Sequence, residues 1–345
     1  MNLDKLYSNT SLIEFFYKRI GSTMVNDTLY LLMLPFGSIG IVLNLVSLYI
    51  LIKIKVNTTN LYQYLRIYTI NSLILCFIGL ITFYLFTPRY FQFSTNFASR
   101  FIRCTLLNYT ATSFYFYGNL LDILIGLERL SIFADSYKKI TEYSPYSLSF
   151  LLFLLSFIVN LPLLFWYYVK NDVEFYEAAL NLNDTNMFFY CGRTKFLNTS
   201  YGLVTSIISI FIRDILTLIV EIAITILSLV YLHRFIQNRI ELTRPTRLNS
   251  LIQTLHANLN NSMIRNTKMA ISLSILSILS HIITFGIFLA FIIELFNGVK
   301  SVTNEKSFFT IFTIYLKHMS NFFIYYNFNL NFKNIVLSIN SSTSN

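Results

Sequence analysis

The feature that most constrains this chain is a series of long apolar runs. The stretch from Leu29 to Ile52, LYLLMLPFGSIGIVLNLVSLYILI, contains no charged residue. A helix needs about 20 apolar residues to cross the hydrocarbon core of a bilayer. The chain is 55% hydrophobic and only 12% charged, whereas soluble domains average about 25% charged residues. The sequence therefore predicts a membrane protein that crosses the bilayer several times.

Seven segments are long and apolar enough to be predicted as membrane spans. Glycine and proline are scarce and the apolar runs are continuous, so the pattern favours helices over a β-barrel. The third, fifth and seventh segments are interrupted by charged residues. The fold class that we expect is all-α, a seven-transmembrane helix bundle. The segments are about Leu29–Ile52, Tyr64–Phe86, Phe101–Ile132, Tyr146–Tyr168, Ile207–Leu232, Met269–Leu295 and Phe308–Tyr326.

Composition and motifs exclude several classes of function. The net charge is +10, but no soluble segment combines its basic residues with aromatic residues on which bases could stack. Many of these basic residues flank apolar runs instead, where they anchor helices and set topology. We find no metal-ligand cluster, no Gly-rich phosphate loop and no nucleophile–base set in the sequence. We therefore expect no nucleic-acid partner, no cofactor, no metal site and no enzymatic activity.

Lysine and arginine in the loops bear on the orientation of the bundle. They are slightly more frequent in the loops that face the cytoplasm when the amino terminus is outside, which favours that orientation. We then expect an extracellular segment 1–28, a seven-helix domain 29–327 and a cytoplasmic segment 328–345. No cleaved signal peptide is predicted. Sequons that would lie outside, and are therefore glycosylation candidates, occur at Asn9, Asn26, Asn183 and Asn198, although others fall at positions that would not.

Ionisable residues inside the predicted spans need an explanation, since a charge at mid-bilayer costs roughly 2.5–3.5 kcal/mol on insertion scales. Asp122 lies in the third span, and Lys317 is the only lysine at a mid-membrane position. We expect an ion pair between them, within a polar cluster that also holds Asn44, Asn71 and Asn321. The alternative is that Asp122 is protonated and Lys317 faces a water-filled cavity.

The fifth span carries a second charged group. Asp214 and Glu221 are seven residues apart and share a helix face, and Arg213 precedes Asp214. Two interpretations remain open. These residues could form a salt bridge between helices, or they could face a cationic or zwitterionic ligand in the outer half of the bundle.

Four motifs occur along the chain in a recognisable order. The first span contains GIVLN, Gly40–Asn44, and the seventh contains NFFIY, Asn321–Tyr325. Arg129, in LERL, follows Cys104 by 25 residues, and Cys191 stands in the loop between the fourth and fifth spans. In this order and spacing the motifs resemble those of rhodopsin-like G-protein-coupled receptors. The likeness is strongest to the divergent chemoreceptor-like and peptide-receptor-like members found in invertebrates.

The resemblance implies a receptor of the plasma membrane with an extracellular amino terminus and a cytoplasmic carboxyl terminus. Such a receptor binds an extracellular ligand, a small molecule or a peptide, within the bundle and activates a heterotrimeric G protein. The family's coupling switch maps onto Glu128, Arg129, Asn321 and Tyr325. The resemblance also implies a disulfide between Cys104 and Cys191 and a short amphipathic eighth helix after the seventh span.

The chain departs from this family at several positions. Asn71 stands where the family usually has an aspartate, Leu130 replaces the tyrosine after the arginine, and Phe322 replaces the proline of the seventh helix. The fifth, sixth and seventh spans contain no proline, so the usual cause of sharp helix bends is missing. A seven-helix transporter or channel is the alternative function. It would be expected to show an inverted repeat, and the two halves show no such symmetry.

Overall fold

A computed structural model of the chain describes residues 34–54, 60–86, 98, 101–134, 142–171, 189–242, 250–296 and 303–342. Within these ranges the chain is a bundle of helices with one two-stranded hairpin. The uninterrupted helices are α1 (Leu34–Lys53), α2 (Asn60–Phe86), α6 (Ser250–Phe296), α7 (Thr303–Phe328) and α8 (Leu330–Ser342).

Three helices contain, or continue directly from or into, a short stretch of π-helix or 3-10 helix. A π-helical stretch, Ile102–Leu107, leads into α3 (Asn108–Phe133). A 3-10 stretch, Leu161–Phe165, continues α4 (Pro145–Asn160). The helix α5 consists of Ser200–Ile210, a π-helical stretch Phe211–Leu216, and Thr217–Leu242. Such π-helical insertions are rare and occur frequently at functional sites.

Five of these helices are long and apolar enough to cross a membrane, so the chain is a membrane-embedded helical protein. The third and seventh predicted spans form α3 and α7, which are not among the five. Their polar residues, which include Asp122 and Lys317, make them less apolar than their neighbours. The five spans are Leu34–Lys53, Asn60–Ile81, Pro145–Phe165, Ser200–Asn238 and Met263–Gly286.

The helix α3 lies at the centre of the bundle, where it contacts α2, α4, α5 and α6. The helix α6 also packs against α5 and α7, and α7 returns to α2. Glycines permit the closest approaches between these helices. A Cβ atom at Gly126 of α3 would lie 2.6 Å from Cγ2 of Ile224 on α5, and one at Gly79 of α2 would overlap the Tyr315 hydroxyl of α7.

The surface and the interior of the bundle differ as expected for a chain surrounded by lipid. Large apolar side chains are exposed along α4 and α5, for example Phe150, Ile158 and Ile219. The interior contains an apolar cluster at the end of the bundle near α8, in which Tyr325 and Phe332 are fully buried. Polar and charged residues are buried elsewhere along the bundle axis.

The hairpin consists of β1 (Tyr167–Asn171) and β2 (Phe189–Arg193), which pair antiparallel with Val169 opposite Cys191. The strand β1 also contacts the π-helical stretch that contains Cys104. The backbone therefore brings the segments of the two predicted disulfide partners together. The side chains of Cys104 and Cys191 themselves lie outside the described part of the structure.

The junction between α7 and α8 is fixed by Asn329. Its Oδ1 atom accepts a hydrogen bond of 3.1 Å from the backbone N–H of Phe332, which makes Asn329 the N-cap of α8. Its Nδ2 atom donates to the hydroxyl of Tyr62 on α2 at 3.2 Å. The direction in which α8 leaves the bundle is thus set by a buried contact with α2.

Candidate functional site

The centre of the bundle holds a buried ion pair between α3 and α7. The Nζ atom of Lys317 lies 2.8 Å from Oδ2 of Asp122, and each side chain is only 1% exposed. The hydroxyl of Tyr68 on α2 donates to the same Asp122 oxygen at 3.3 Å. The structure therefore brings together the two residues that the sequence predicted as a pair.

Lys317 also makes two hydrogen bonds beyond this ion pair. It donates to Oδ1 of Asn119 at 3.0 Å and to Oγ of Ser277 on α6 at 2.8 Å. Ser277 in turn donates its proton to Oε1 of Glu221 on α5 at 3.1 Å. The hydroxyl of Ser277 thus links the ammonium of one helix to the carboxylate of another.

His281 lies one helical turn beyond Ser277 and faces two carboxylates of α5. Its Nδ1 atom is 3.7 Å from Oε2 of Glu221, and its Nε2 atom is 3.7 Å from Oδ1 of Asp214. The imidazole ring is completely buried. It therefore lies at the point where α5 and α6 exchange charged contacts.

The π-helical stretch of α5 directs two sequence neighbours into the bundle. Arg213 binds the adjacent Asp214 through Nη2 at 2.7 Å and Nε at 3.0 Å, and both side chains are buried. The Nη1 atom of Arg213 donates to Oδ1 of Asn160, at the end of α4, at 3.3 Å. The salt bridge is therefore formed within α5, and its guanidinium reaches α4.

These contacts join into one structure, which we call the buried polar chain. It crosses the interior from α4 to α2, and each described member is almost inaccessible to solvent. A buried charge is stable only when it is paired and hydrogen-bonded. Arg213 is paired with Asp214 and Lys317 with Asp122, while Glu221 accepts a hydrogen bond from Ser277 and faces His281. In order, the buried polar chain runs through Asn160, Arg213, Asp214, His281, Glu221, Ser277, Lys317, Asp122 and Tyr68, with Asn119 beside Lys317.

The three asparagines that were predicted to join the ion pair lie next to the buried polar chain and not within it. Asn44 of α1 donates to the backbone oxygen of His318 at 3.4 Å. Asn321 of α7 donates to Ser72 of α2 at 3.3 Å, and Ser72 also bonds Nδ1 of His318 at 2.8 Å. Asn71 donates to a backbone oxygen of α3. The asparagines therefore tie α1, α2, α3 and α7 together beside the ion pair.

The remaining predicted switch residues lie towards the end of the bundle near α8. Arg129 is 3% exposed, and its electrostatic neighbours are the carboxylate of Glu128 and the hydroxyl of Tyr62. Tyr325 is fully buried and lies 3.5 Å from the hydroxyl of Thr69. Seven residues of helix, about 10 Å, separate Arg129 from Asp122 along α3.

Several residues of the site could not be assigned from the sequence. His281, Ser277 and Asn119 carry no recognisable motif, and Asn160 ends a helix that is otherwise apolar. The available signal was the four-residue spacing of Ser277 and His281, which places them on one face of α6. That spacing does not say which helix they face.

Only some of the other predicted sites lie among the described residues. Asn9, Asn26 and Asn183 lie outside the described residues, and Asn198 is the last residue of a short 3-10 helix, Lys195–Asn198. Among the described residues, no group of three His, Cys, Asp or Glu side chains is placed to hold a metal ion.

The contacts of the site join charged and hydroxyl groups that belong to different helices. Comparison of the chain with known protein families gives no match. Comparison with curated proteins gives none either.

Proposed function

We propose that the protein is a G-protein-coupled receptor of the rhodopsin-like type, which binds an extracellular ligand within its bundle and activates a heterotrimeric G protein. The motifs and their spacing suggest this class, and the central position of α3 is the observation that carries the proposal. One helix in the middle of the bundle bears both Asp122, which belongs to the buried polar chain, and the Glu128–Arg129 pair. A change at one end of α3 can thus reach the other end.

A receptor of this class needs seven spans, so α3 and α7 must also cross the membrane. Their length permits it, since 26 residues of helix extend about 39 Å. Their low apolar content does not oppose it, because Asp122 of α3 and Lys317 of α7 point into the bundle and are paired there. A polar face that is buried against other helices does not meet lipid.

Activation in this proposal is a shift between two arrangements of the helices. The ion pair between α3 and α7 and the contacts of His281 between α5 and α6 favour the closed arrangement. A ligand that binds the open arrangement more tightly shifts the population towards it, and a shift from mostly closed to mostly open needs about 5 kcal/mol of differential affinity. The 47 residues of α6 form one helix without proline, so α6 would move as a rod.

In the proposed orientation the hairpin lies outside the cell and α8 lies in the cytoplasm. We propose a disulfide between Cys104 and Cys191, because the strand that pairs with β2 contacts the stretch around Cys104. The resemblance places α8 along the inner surface of the plasma membrane, and residues such as Leu330 and Leu337 expose apolar side chains there.

A nucleotide-exchange assay with co-expressed G proteins tests the proposal. Membranes that contain the protein are screened with small molecules and peptides for exchange above that of empty membranes. We expect a ligand response that Arg129→Ala changes and that Lys195→Ala, a substitution at an exposed residue of the opposite end, leaves unchanged. Equal exchange by wild type and Arg129→Ala across all ligands that elicit a response would contradict the proposal.

The buried polar chain also favours a second candidate, a transporter coupled to protons or cations. Ionisable residues inside a membrane bundle commonly mark ion pathways and proton relays, and here carboxylate, hydroxyl, imidazole and ammonium groups follow one another. Purified protein in vesicles with an internal pH-sensitive dye distinguishes the two. Proton movement that depends on Glu221, without any effect on G proteins, would favour the transporter.

A further inference from the structure

We propose that His281 is a proton-binding site, in which a proton is held by the imidazole between Asp214 and Glu221 and thereby fastens α5 to α6. The ligand is the proton itself, and the ring that binds it is fully buried. The proposal goes beyond receptor function and holds equally for a transporter. It rests on the charges of the buried polar chain and on the geometry around His281.

The formal charges of the buried polar chain do not balance while His281 is neutral. Three carboxylates, those of Asp122, Asp214 and Glu221, face two permanent cations, Lys317 and Arg213. One negative charge is left in excess among buried groups. An uncompensated charge in such surroundings is strongly unfavourable, and one proton on His281 removes the excess.

The excess charge belongs to Glu221. Arg213 binds Asp214 at 2.7 Å and Lys317 binds Asp122 at 2.8 Å, so each permanent cation already has its own carboxylate. Glu221 receives a hydrogen bond from the neutral hydroxyl of Ser277. Among the described residues, His281 is the basic side chain that lies within 4 Å of the Glu221 carboxylate.

The geometry of the ring favours the protonated form. A neutral imidazole has a proton on only one nitrogen and a lone pair on the other. Here both nitrogens face carboxylate oxygens, Oδ1 of Asp214 and Oε2 of Glu221, each at 3.7 Å. Any neutral tautomer would point a lone pair at an anion. The imidazolium instead presents an N–H group to each carboxylate.

The remaining groups around His281 do not cancel the preference for the protonated ring. From α3, Tyr115 presents its ring edge-to-face, with centroids 6.2 Å apart. From α7, Lys317 approaches through Ser277, and from α5, Arg213 approaches through Asp214. Both cations oppose a further positive charge, but each lies closer to its own carboxylate than to the ring. Asp122 adds a negative charge beyond Lys317.

Protonation of His281 therefore makes the contact between α5 and α6 depend on pH. Both carboxylates belong to α5 and the ring belongs to α6, so loss of the proton leaves repulsion where there was attraction. Ordinary histidines lose their proton near pH 6.5. A native state that keeps the proton above that pH is stabilised relative to the unfolded chain, and this stabilisation is lost as the pH rises further.

Thermal unfolding of the purified full-length protein between pH 5 and pH 9 tests the proposal. Wild type is compared with His281→Gln and with His233→Gln, which alters an exposed histidine of α5. We expect the advantage of wild type over His281→Gln to be largest near pH 6 and to disappear as the pH rises. The unfolding equilibrium constant of wild type should rise by up to tenfold for each pH unit above about 6.5, since one proton is involved. His233→Gln should follow wild type.

A second variant can still overturn the proposal when His281→Gln does not fold. Glu221→Gln keeps an acceptor for Ser277 but removes the excess negative charge, so its unfolding should depend less on pH than that of wild type. Parallel curves for wild type and His281→Gln would overturn the proposal and would place the proton on another group, such as Glu221. The proposal is equally overturned when Glu221→Gln keeps the full pH dependence of wild type.

Discussion

Removing Lys317 should be among the most damaging single substitutions in the bundle. In Lys317→Met the carboxylate of Asp122 stays buried, 1% exposed, without its cation. The oxygens of Asn119 and Ser277 lose the same donor. Breaking a buried pair by removing one partner costs about 3–5 kcal/mol. Lys268→Met, which alters an exposed lysine of α6, is the matched control and should cost no more than about 0.5 kcal/mol.

The double substitution separates the pairing from the loss of each side chain. Asp122→Asn alone leaves the ammonium without a counter-ion and should also be costly. In Asp122→Asn with Lys317→Met, neither charge remains, so the cost should fall below the sum of the single costs. Coupled residues in contact show interaction energies of about 0.5–3 kcal/mol, and we expect a value near the upper end because both groups are fully desolvated.

Thermal unfolding monitored with a thiol-reactive dye measures these costs. Cys76 is a free, fully buried thiol of α2 and becomes reactive when the bundle opens. A double variant whose cost equals the sum of the two single costs would show that Asp122 and Lys317 do not stabilise each other. That result would refute the charge assignment of the buried polar chain.

Three further sets of substitutions test the helix packing, a helix cap and the loops. Gly126→Ala should lower the melting temperature, because its Cβ would press on an isoleucine side chain of α5 at 2.6 Å, whereas Gly286→Ala, with nothing within 4 Å, should raise helix stability by up to about 1 kcal/mol. Asn329→Ala should cost roughly 0.5–2 kcal/mol through loss of the N-cap, and Asn329→Asp should retain most of it. Cys104→Ser and Cys191→Ser should each cost about 4–5 kcal/mol if the proposed disulfide closes its loop of about 90 residues, and the double variant should cost no more. Peptide mapping without reduction should detect the link.

The helices of this chain could be predicted from its apolar runs, and so could one of its internal contacts. Asp122 and Lys317 are ionisable residues in otherwise apolar segments, and the cost of burying each alone makes a pair the natural expectation. The same reasoning could not place His281. Its partners depend on how α5 is rotated relative to α6. The spacing of apolar residues does not fix that rotation, because a helix exposed to lipid has apolar residues on its outer face as well.

The charged group of α5 shows a second limit of the sequence. Neighbours in an α-helix point about 100° apart, so Arg213 and Asp214 would not be expected to enter the same interior. The π-helical stretch Phe211–Leu216 changes the local pitch and buries both. Asp214 forms a salt bridge within α5 and also faces His281 of another helix, so the first interpretation describes its contacts. The interpretation in which these residues face a ligand stays a prediction.

The most direct test is the side of the membrane on which the two ends of the bundle lie. Lys195 and Tyr143 are exposed residues at opposite ends, the first before α5 and the second before α4. We predict that an impermeant maleimide labels Lys195→Cys on intact cells, and labels Tyr143→Cys only after permeabilisation. Labelling of both positions from the same side, before permeabilisation, would contradict a bundle that carries its hairpin outside and Arg129 inside.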